Sequence, residues 1–135
     1  MDFDLSDDQR QIKDSVDRML ADAYADLKTK VAAQKEPLGF SKAIWKQYAD
    51  QGLLGIPFSE ADGGLGAGAL ETMLVMEAIG ANAAIEPYLS TVVLGGGMLR
   101  HAGSAAQKSA LIPDVIAGTR RLALGARPSG TSVAI

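Results

Sequence analysis

The sequence predicts an all-α domain, five to six helices packed in a bundle-like way, with one short strand near its C-terminal end. Three observations lead there. Apolar residues recur at helical spacing through most of the chain. Two of these stretches open on a serine placed to cap a helix, Ser6 and Ser41. The composition is that of a folded domain: 135 residues, 47% hydrophobic and 21% charged, give one core and exclude a wholly disordered chain.

The elements follow in order. Ser6 and Gln9 have the spacing of a capping box, Asp7 and Asp8 suit the positive end of a helix dipole, and Ile12, Val16, Met19 and Ala23 form one stripe. A second helix is expected from Ala25 to Gln34, ending before Pro37. Ser41 caps a third, which carries Ile44, Trp45 and Tyr48 on one side and is closed by Gly52. From Leu53 to Gly68 the pattern is too broken for a helix, and residues 63–66 read as a tight glycine turn. A fourth helix, Ala69 to Ala81, is expected to face Leu70, Met73, Leu74 and Ile79 inward. Tyr88 to Ala102 is apolar almost all round and is expected to be a buried central helix. Gly95, Gly96 and Gly97 inside it cost on the order of 3 kcal/mol relative to alanine, so another helix, a backbone or a ligand should approach closely there. Ala105 to Leu111 makes a further helix, and Pro113 is expected to start a separate short turn. Lys108, Leu111, Ile112, Val115 and Ile116 share a face, Arg121 to Gly125 reads as the strand, and the tail from Pro128 reads as disordered.

Composition also removes function classes. The net charge is −3 and the thirteen Lys and Arg are scattered, so no basic stripe for nucleic acid or anionic lipid forms. No apolar run approaches the roughly 20 residues of a membrane span. With no cysteine, disulfides, thiolate catalysis and the common zinc frameworks are absent. His101 stands as the sole histidine, so no metal ligand set exists, and its place beside Arg100 near a helix end suits free carbonyls. The absence of cysteine and of a basic-then-apolar leader reads as cytoplasmic. The glycines at 63–66 lack the G-x-G-x-x-G spacing of a dinucleotide loop. Glu71 and Glu77 fall on opposite sides of one helix and read as solvated charges. Ser6 and Ser41 are explained as caps, with no Ser-His-Asp order or G-x-S-x-G elbow.

Four ordered features resemble the N-terminal helical domain of the acyl-CoA dehydrogenase family. They are the opening Phe3-Asp4-Leu5-Ser6-Asp7-Asp8-Gln9, the passage from Trp45 through Gly52-Leu53-Leu54-Gly55-Ile56-Pro57, and the loop Glu60-Ala61-Asp62-Gly63-Gly64-Leu65-Gly66. The fourth runs from Ala102-Gly103-Ser104 through Gln107-Lys108 and Leu111-Ile112-Pro113 to Gly118, so the set spans residues 3 to 118. Residues 85–94, Ile85-Glu86-Pro87-Tyr88-Leu89-Ser90 onward, look like the bacterial branch acting on steroid side chains or dicarboxylic acyl-CoAs.

The resemblance implies FAD-dependent oxidation of an acyl-CoA thioester at its α–β bond, with a glutamate base in a C-terminal domain. Residues 1–120 would be the helical domain, and 121–135 the start of a truncated β-domain or a disordered tail. Where the family has its flavin-contacting Thr-Glu-Pro motif, this chain has Ala126 and Arg127. FAD is therefore expected in the full family and not on this chain alone, and no catalytic residue is assigned. In the family, the helix after residue 87 and the loop before it line the acyl-chain pocket. Carried over, Glu86, Pro87, Ser90 and Leu94 would face the acyl tail, and a serine beside a leucine suits a tail bearing a polar or ring substituent. Plain helix packing explains the same residues equally well. Faces that meet the family's other two domains, with Met73, Met76, Val92, Val93 and Met98, are expected to be uncovered here. Self-association or a larger dehydrogenase subunit would cover them. Three readings stay open: a truncated dehydrogenase subunit, a non-enzymatic helical partner docking on a full-length dehydrogenase, and an inactive truncation product.

Overall fold

The first helix begins where its capping pattern puts it. In the computed structural model, which describes residues 4–125, the Gln9 amide donates to the Ser6 hydroxyl at 3.2 Å and the Ser6 amide to the Gln9 carboxamide oxygen at 2.9 Å. Among the described residues the α-helices are α1 (Asp7–Ala23), α2 (Leu27–Gln34), α3 (Lys42–Asp50), α4 (Ala69–Ala81), α5 (Gly96–Ala102) and α6 (Ala105–Ile116). A π-helical segment, Leu89–Gly95, leads directly into α5, and single 3-10 turns at Leu53–Gly55 and Glu60–Asp62 connect α3 to α4. Ser41 caps α3, Ser104 and Gln107 repeat the capping box on α6, and Asp26 caps α2. Each such cap contributes about 1 kcal/mol.

α1 packs chiefly on α4. Val16 and Leu20 of α1 and Val75 and Ala78 of α4 are fully buried in the shared core. Polar groups fix the relative position of the two helices. The Gln9 side-chain amide donates to Glu71 at 2.8 Å, Glu71 also accepts from the Gly68 amide at 2.8 Å, and Lys13 lies 3.5 Å from Glu77. The hydrogen bond from Gln9, then those from backbone amides, hold the Glu71 carboxyl below the usual carboxylate range. Glu71 is thus a tie between helix starts rather than a solvated charge.

The centre of the core is an aromatic row. Phe40, Trp45, Tyr48 and Tyr88 succeed one another with ring centroids 6.1, 5.8 and 6.1 Å apart. The Trp45 indole N–H donates to the Gly118 carbonyl at 2.9 Å, closing the turn after α6 onto α3. Leu54, Ile56 and Phe58, in the stretch too broken for a helix, are fully buried beneath this row. Their irregular backbone lets consecutive apolar side chains point inward, and each buried side chain contributes roughly 1.5–3 kcal/mol.

Several expectations need correction. Residues 121–125 form no strand. They run as an irregular strap, because the described chain offers a side chain rather than a parallel backbone for them to bond: Thr91 donates to the Leu122 carbonyl and accepts from the Leu122 amide. On α4 the inward face is Leu74, Val75, Ala78 and Ile79, while Leu70 and Met73 are 40% and 51% exposed, since α1 covers the other side. Pro113 starts no new turn but lies inside α6. The segment 88–102 is neither all buried nor all α-helical: Leu89, Leu94 and Met98 are exposed, whereas Val92, expected to be uncovered, is fully buried. Met76 and Val93 are half-buried. The tail from Pro128, and the positions Ala126 and Arg127, lie outside the described residues.

Candidate functional site

The link from α4 to the π segment sets the geometry. The α4 end is closed by Asn82, whose side chain donates to the Ala78 carbonyl at 2.9 Å, while Lys30 donates to the Asn82 carbonyl at 2.9 Å. Ala83 then takes a left-handed conformation, φ 45°, which turns the chain back toward the core. Glu86 follows, 5% exposed. Its carboxylate accepts the Tyr24 hydroxyl, 2.7 Å from either oxygen. Glu86 therefore joins the end of α1 to the start of the π segment.

Two more tyrosines complete this buried cluster. The Tyr88 hydroxyl donates to the Leu53 carbonyl at 3.1 Å, and the Tyr48 hydroxyl is buried with no hydrogen-bond partner among the described residues. All three phenols are pushed above the ordinary tyrosine range. Burial is the main cause in each case, and the nearby Glu86 charge adds to it at Tyr24 and Tyr48.

Beyond Pro87 the helix widens. The Gly96 amide bonds back to the Thr91 carbonyl five residues earlier, the mark of a π-turn. The glycines permit close approach on two sides of it. A Cβ at Gly95 would lie 2.5 Å from the Cβ of Leu122 on the strap, and one at Gly96 would lie 2.8 Å from the Phe58 ring. A Cβ at Gly97 would meet nothing within 4 Å.

The four residues proposed from the sequence are thus divided. Ser90 and Leu94 lie about one π-turn apart, Ser90 half-buried with its hydroxyl on the Pro87 carbonyl at 3.2 Å, and Leu94 43% exposed. Pro87 is half-buried beside them. Glu86 is buried and bonded to Tyr24. The outer side of the widened helix, with Leu89, Leu94 and Met98 exposed, is an apolar surface with a serine at its edge. It offers packing and shape, not an acid–base pair. Sequence reasoning missed the π segment and the Tyr24–Glu86 contact, which joins residues 62 positions apart.

A Cβ at Gly64 would lie 2.3 Å from the Phe58 carbonyl oxygen, so the glycine loop is closed on its own backbone rather than open to a phosphate. The described residues also contain no group of three or more His, Cys, Asp or Glu able to hold a metal ion. No described helix is long and apolar enough to cross a membrane.

The described residues define a class: an all-α domain of six α-helices with a π-widened helix and an exposed apolar face. The profile of the acyl-CoA dehydrogenase N-terminal domain matches residues 6–119. This chain belongs to the acyl-CoA dehydrogenase family. It is similar to the acyl-CoA dehydrogenase FadE27 of Mycobacterium tuberculosis, 35% identical over 83 residues, covering 62% of this chain and 22% of the relative. It is also similar to the mitochondrial isovaleryl-CoA dehydrogenase of Pongo abelii, 34% identical over 116 residues, covering 84% of this chain and 27% of the relative. Among solved structures it superposes on the ChsE4-ChsE5 complex from Mycobacterium tuberculosis with a TM-score of 0.80 at 30% identity, covering 91% of this chain and 34% of that one. A steroid ACAD variant, Tcur3481-Tcur3483, gives a TM-score of 0.78 at 27% identity over 86% of this chain and 31% of that one. The chain spans about a quarter of the length of these curated relatives.

Proposed function

We propose that this domain supplies one wall of an acyl-CoA dehydrogenase's acyl pocket, through Pro87, Ser90 and Leu94, and has no dehydrogenase activity by itself. The observation that carries the reading is the exposed apolar side of the π-widened helix, at the place where the family profile is matched. Glu86 serves that wall from behind, by tying its first turn to Tyr24. FAD, which in this family takes up the hydride, would be held mainly by parts of the assembly outside this domain. The purified chain, mixed with FAD and an acyl-CoA, is expected to stay colourless after desalting and to reduce no acceptor dye. Dye reduction above a flavin-only control overturns the proposal.

A helical partner acting on a larger dehydrogenase subunit is the second reading, favoured by the likeness to the ChsE4-ChsE5 complex. In either form the exposed Leu89 and Met98, beside the acyl wall, would be covered by protein. For the chain without such a partner, homodimerisation covers them. Light scattering across a concentration series should then show a mass rising above 14.0 kDa. A constant monomer mass would mean that the apolar face is stable in water.

A further inference from the structure

We propose that the cavity between the glycine loop and the end of α5 binds a small oxyanion, with Arg100 and Lys108 as its counter-charges. The cavity is about 300 Å³, and Pro57, Ser59, Asp62, Gly66, Arg100 and Lys108 are in its wall. That is the lower end of the ~300–1,000 Å³ range of small-molecule sites. Arg100 stands one turn after Gly96, on the side of α5 that faces the Phe58 stretch, and both cations are half-buried.

The charge balance is the argument. The Arg100 Nη1 donates to the Pro57 carbonyl at 3.0 Å, and its Nε is sealed from solvent with no acceptor among the described residues. Among those residues neither Arg100 nor Lys108 forms an ion pair. A guanidinium drawn partly out of water loses hydration that one neutral carbonyl does not replace. The carboxylate that shares the cavity, Asp62, is engaged in its own turn: it accepts the Ser59 hydroxyl at 2.6 Å, while its amide donates to that hydroxyl at 3.2 Å. Two cations therefore face one carboxylate already in use. Arg100 is also held in place by the Pro57 carbonyl, and Lys108 stands in the first turn of α6, whose start is fixed by the Ser104–Gln107 box. A pre-placed guanidinium with an ammonium in the same cavity wall suits the oxygens of a phosphate group or a carboxylate through charge-assisted hydrogen bonds.

The test is a titration of the isotope-labelled chain with inorganic phosphate, and in parallel with acetate, followed by amide chemical shifts at constant ionic strength. Saturable shifts confined to residues 57–67 and 100–108 are expected with phosphate or acetate, and the stronger of the two names the group the site takes. Lys108→Met and Arg100→Met should each weaken binding by about tenfold or more, the effect of losing a hydrogen bond to a charged group. Asp62→Asn should tighten it. Should Arg100→Met fail to fold, Lys108→Met decides. Shifts that chloride reproduces, shifts that do not saturate, full binding by Lys108→Met, or no tightening in Asp62→Asn would each overturn the proposal.

Discussion

One methyl group added at Gly96 and one added at Gly97 should act in opposite directions. Both residues lie in α5, so each alanine gains up to about 1 kcal/mol of helix propensity. At Gly97 nothing lies within 4 Å of the new Cβ, and that gain stands. At Gly96 the Cβ would lie 2.8 Å from the Phe58 Cζ, short of normal carbon–carbon contact by roughly 0.7 Å. Phe58 is fully buried, so its ring can retreat only by pushing on the packed core around it. Overpacking of this kind costs ~1–3 kcal/mol, which outweighs the propensity gain through most of its range. The two variants should differ by that same amount, roughly 3–10 °C in Tm for a chain of this size, with Gly97→Ala at or above the parent. Thermal and urea unfolding of both variants measure it. If Gly96→Ala proves as stable as Gly97→Ala, the close approach of Phe58 to the helix is wrong.

Two further outcomes follow from the tyrosine cluster. Tyr24→Phe removes the hydroxyl donor from the buried Glu86 carboxylate and should cost about 1.5–3 kcal/mol, whereas Tyr48→Phe removes a buried hydroxyl that stands near Glu86 without a hydrogen bond of normal geometry and should cost less. Equal losses in urea unfolding would contradict this assignment. Alkaline pH is the second perturbation. Tyr48 and Tyr88 keep their protons in the folded state above the ordinary phenol range, while the unfolded chain releases them near pH ~10. The unfolded state then binds fewer protons, so stability is intact below that pH and falls above it, by about 2.7 kcal/mol per pH unit for the two groups. Tyrosinate absorbance and far-UV circular dichroism should therefore change together. Phenol titration at ordinary pH with the helices intact would show that these hydroxyls are open to water.

How much could be read from the sequence depended on the range of the interactions. Caps are local, and Ser6–Gln9 and Ser41 fixed the starts of α1 and α3 within a residue or two. The three glycines announced a close approach, and the structure supplies two partners for it, Leu122 and Phe58. Periodicity failed on α4, because four buried and several exposed apolar residues share a helix that is hydrophobic nearly all round, leaving Leu70 and Met73 indistinguishable from Leu74. It failed again at residues 89–95, where the chain widens into a π-helix and Thr91 and Gly95 meet the strap at Leu122, a contact distant in sequence. Glu86 has a partner that local sequence does not reveal. The resemblance placed it near an acyl tail, and only the fold reveals Tyr24 as its partner.

The most direct test exchanges the domain itself. Residues 6–119 would replace the corresponding segment of the isovaleryl-CoA dehydrogenase relative, and the kcat/KM for acyl-CoAs with narrow and wide tails would be compared with the parent enzyme. Among chimeras that fold and hold flavin, the account predicts turnover with a changed tail preference, moved again by Leu94→Ala. A flavin-bound, active chimera that keeps the parent's preference, with or without Leu94→Ala, would contradict a role for this helix in the acyl wall.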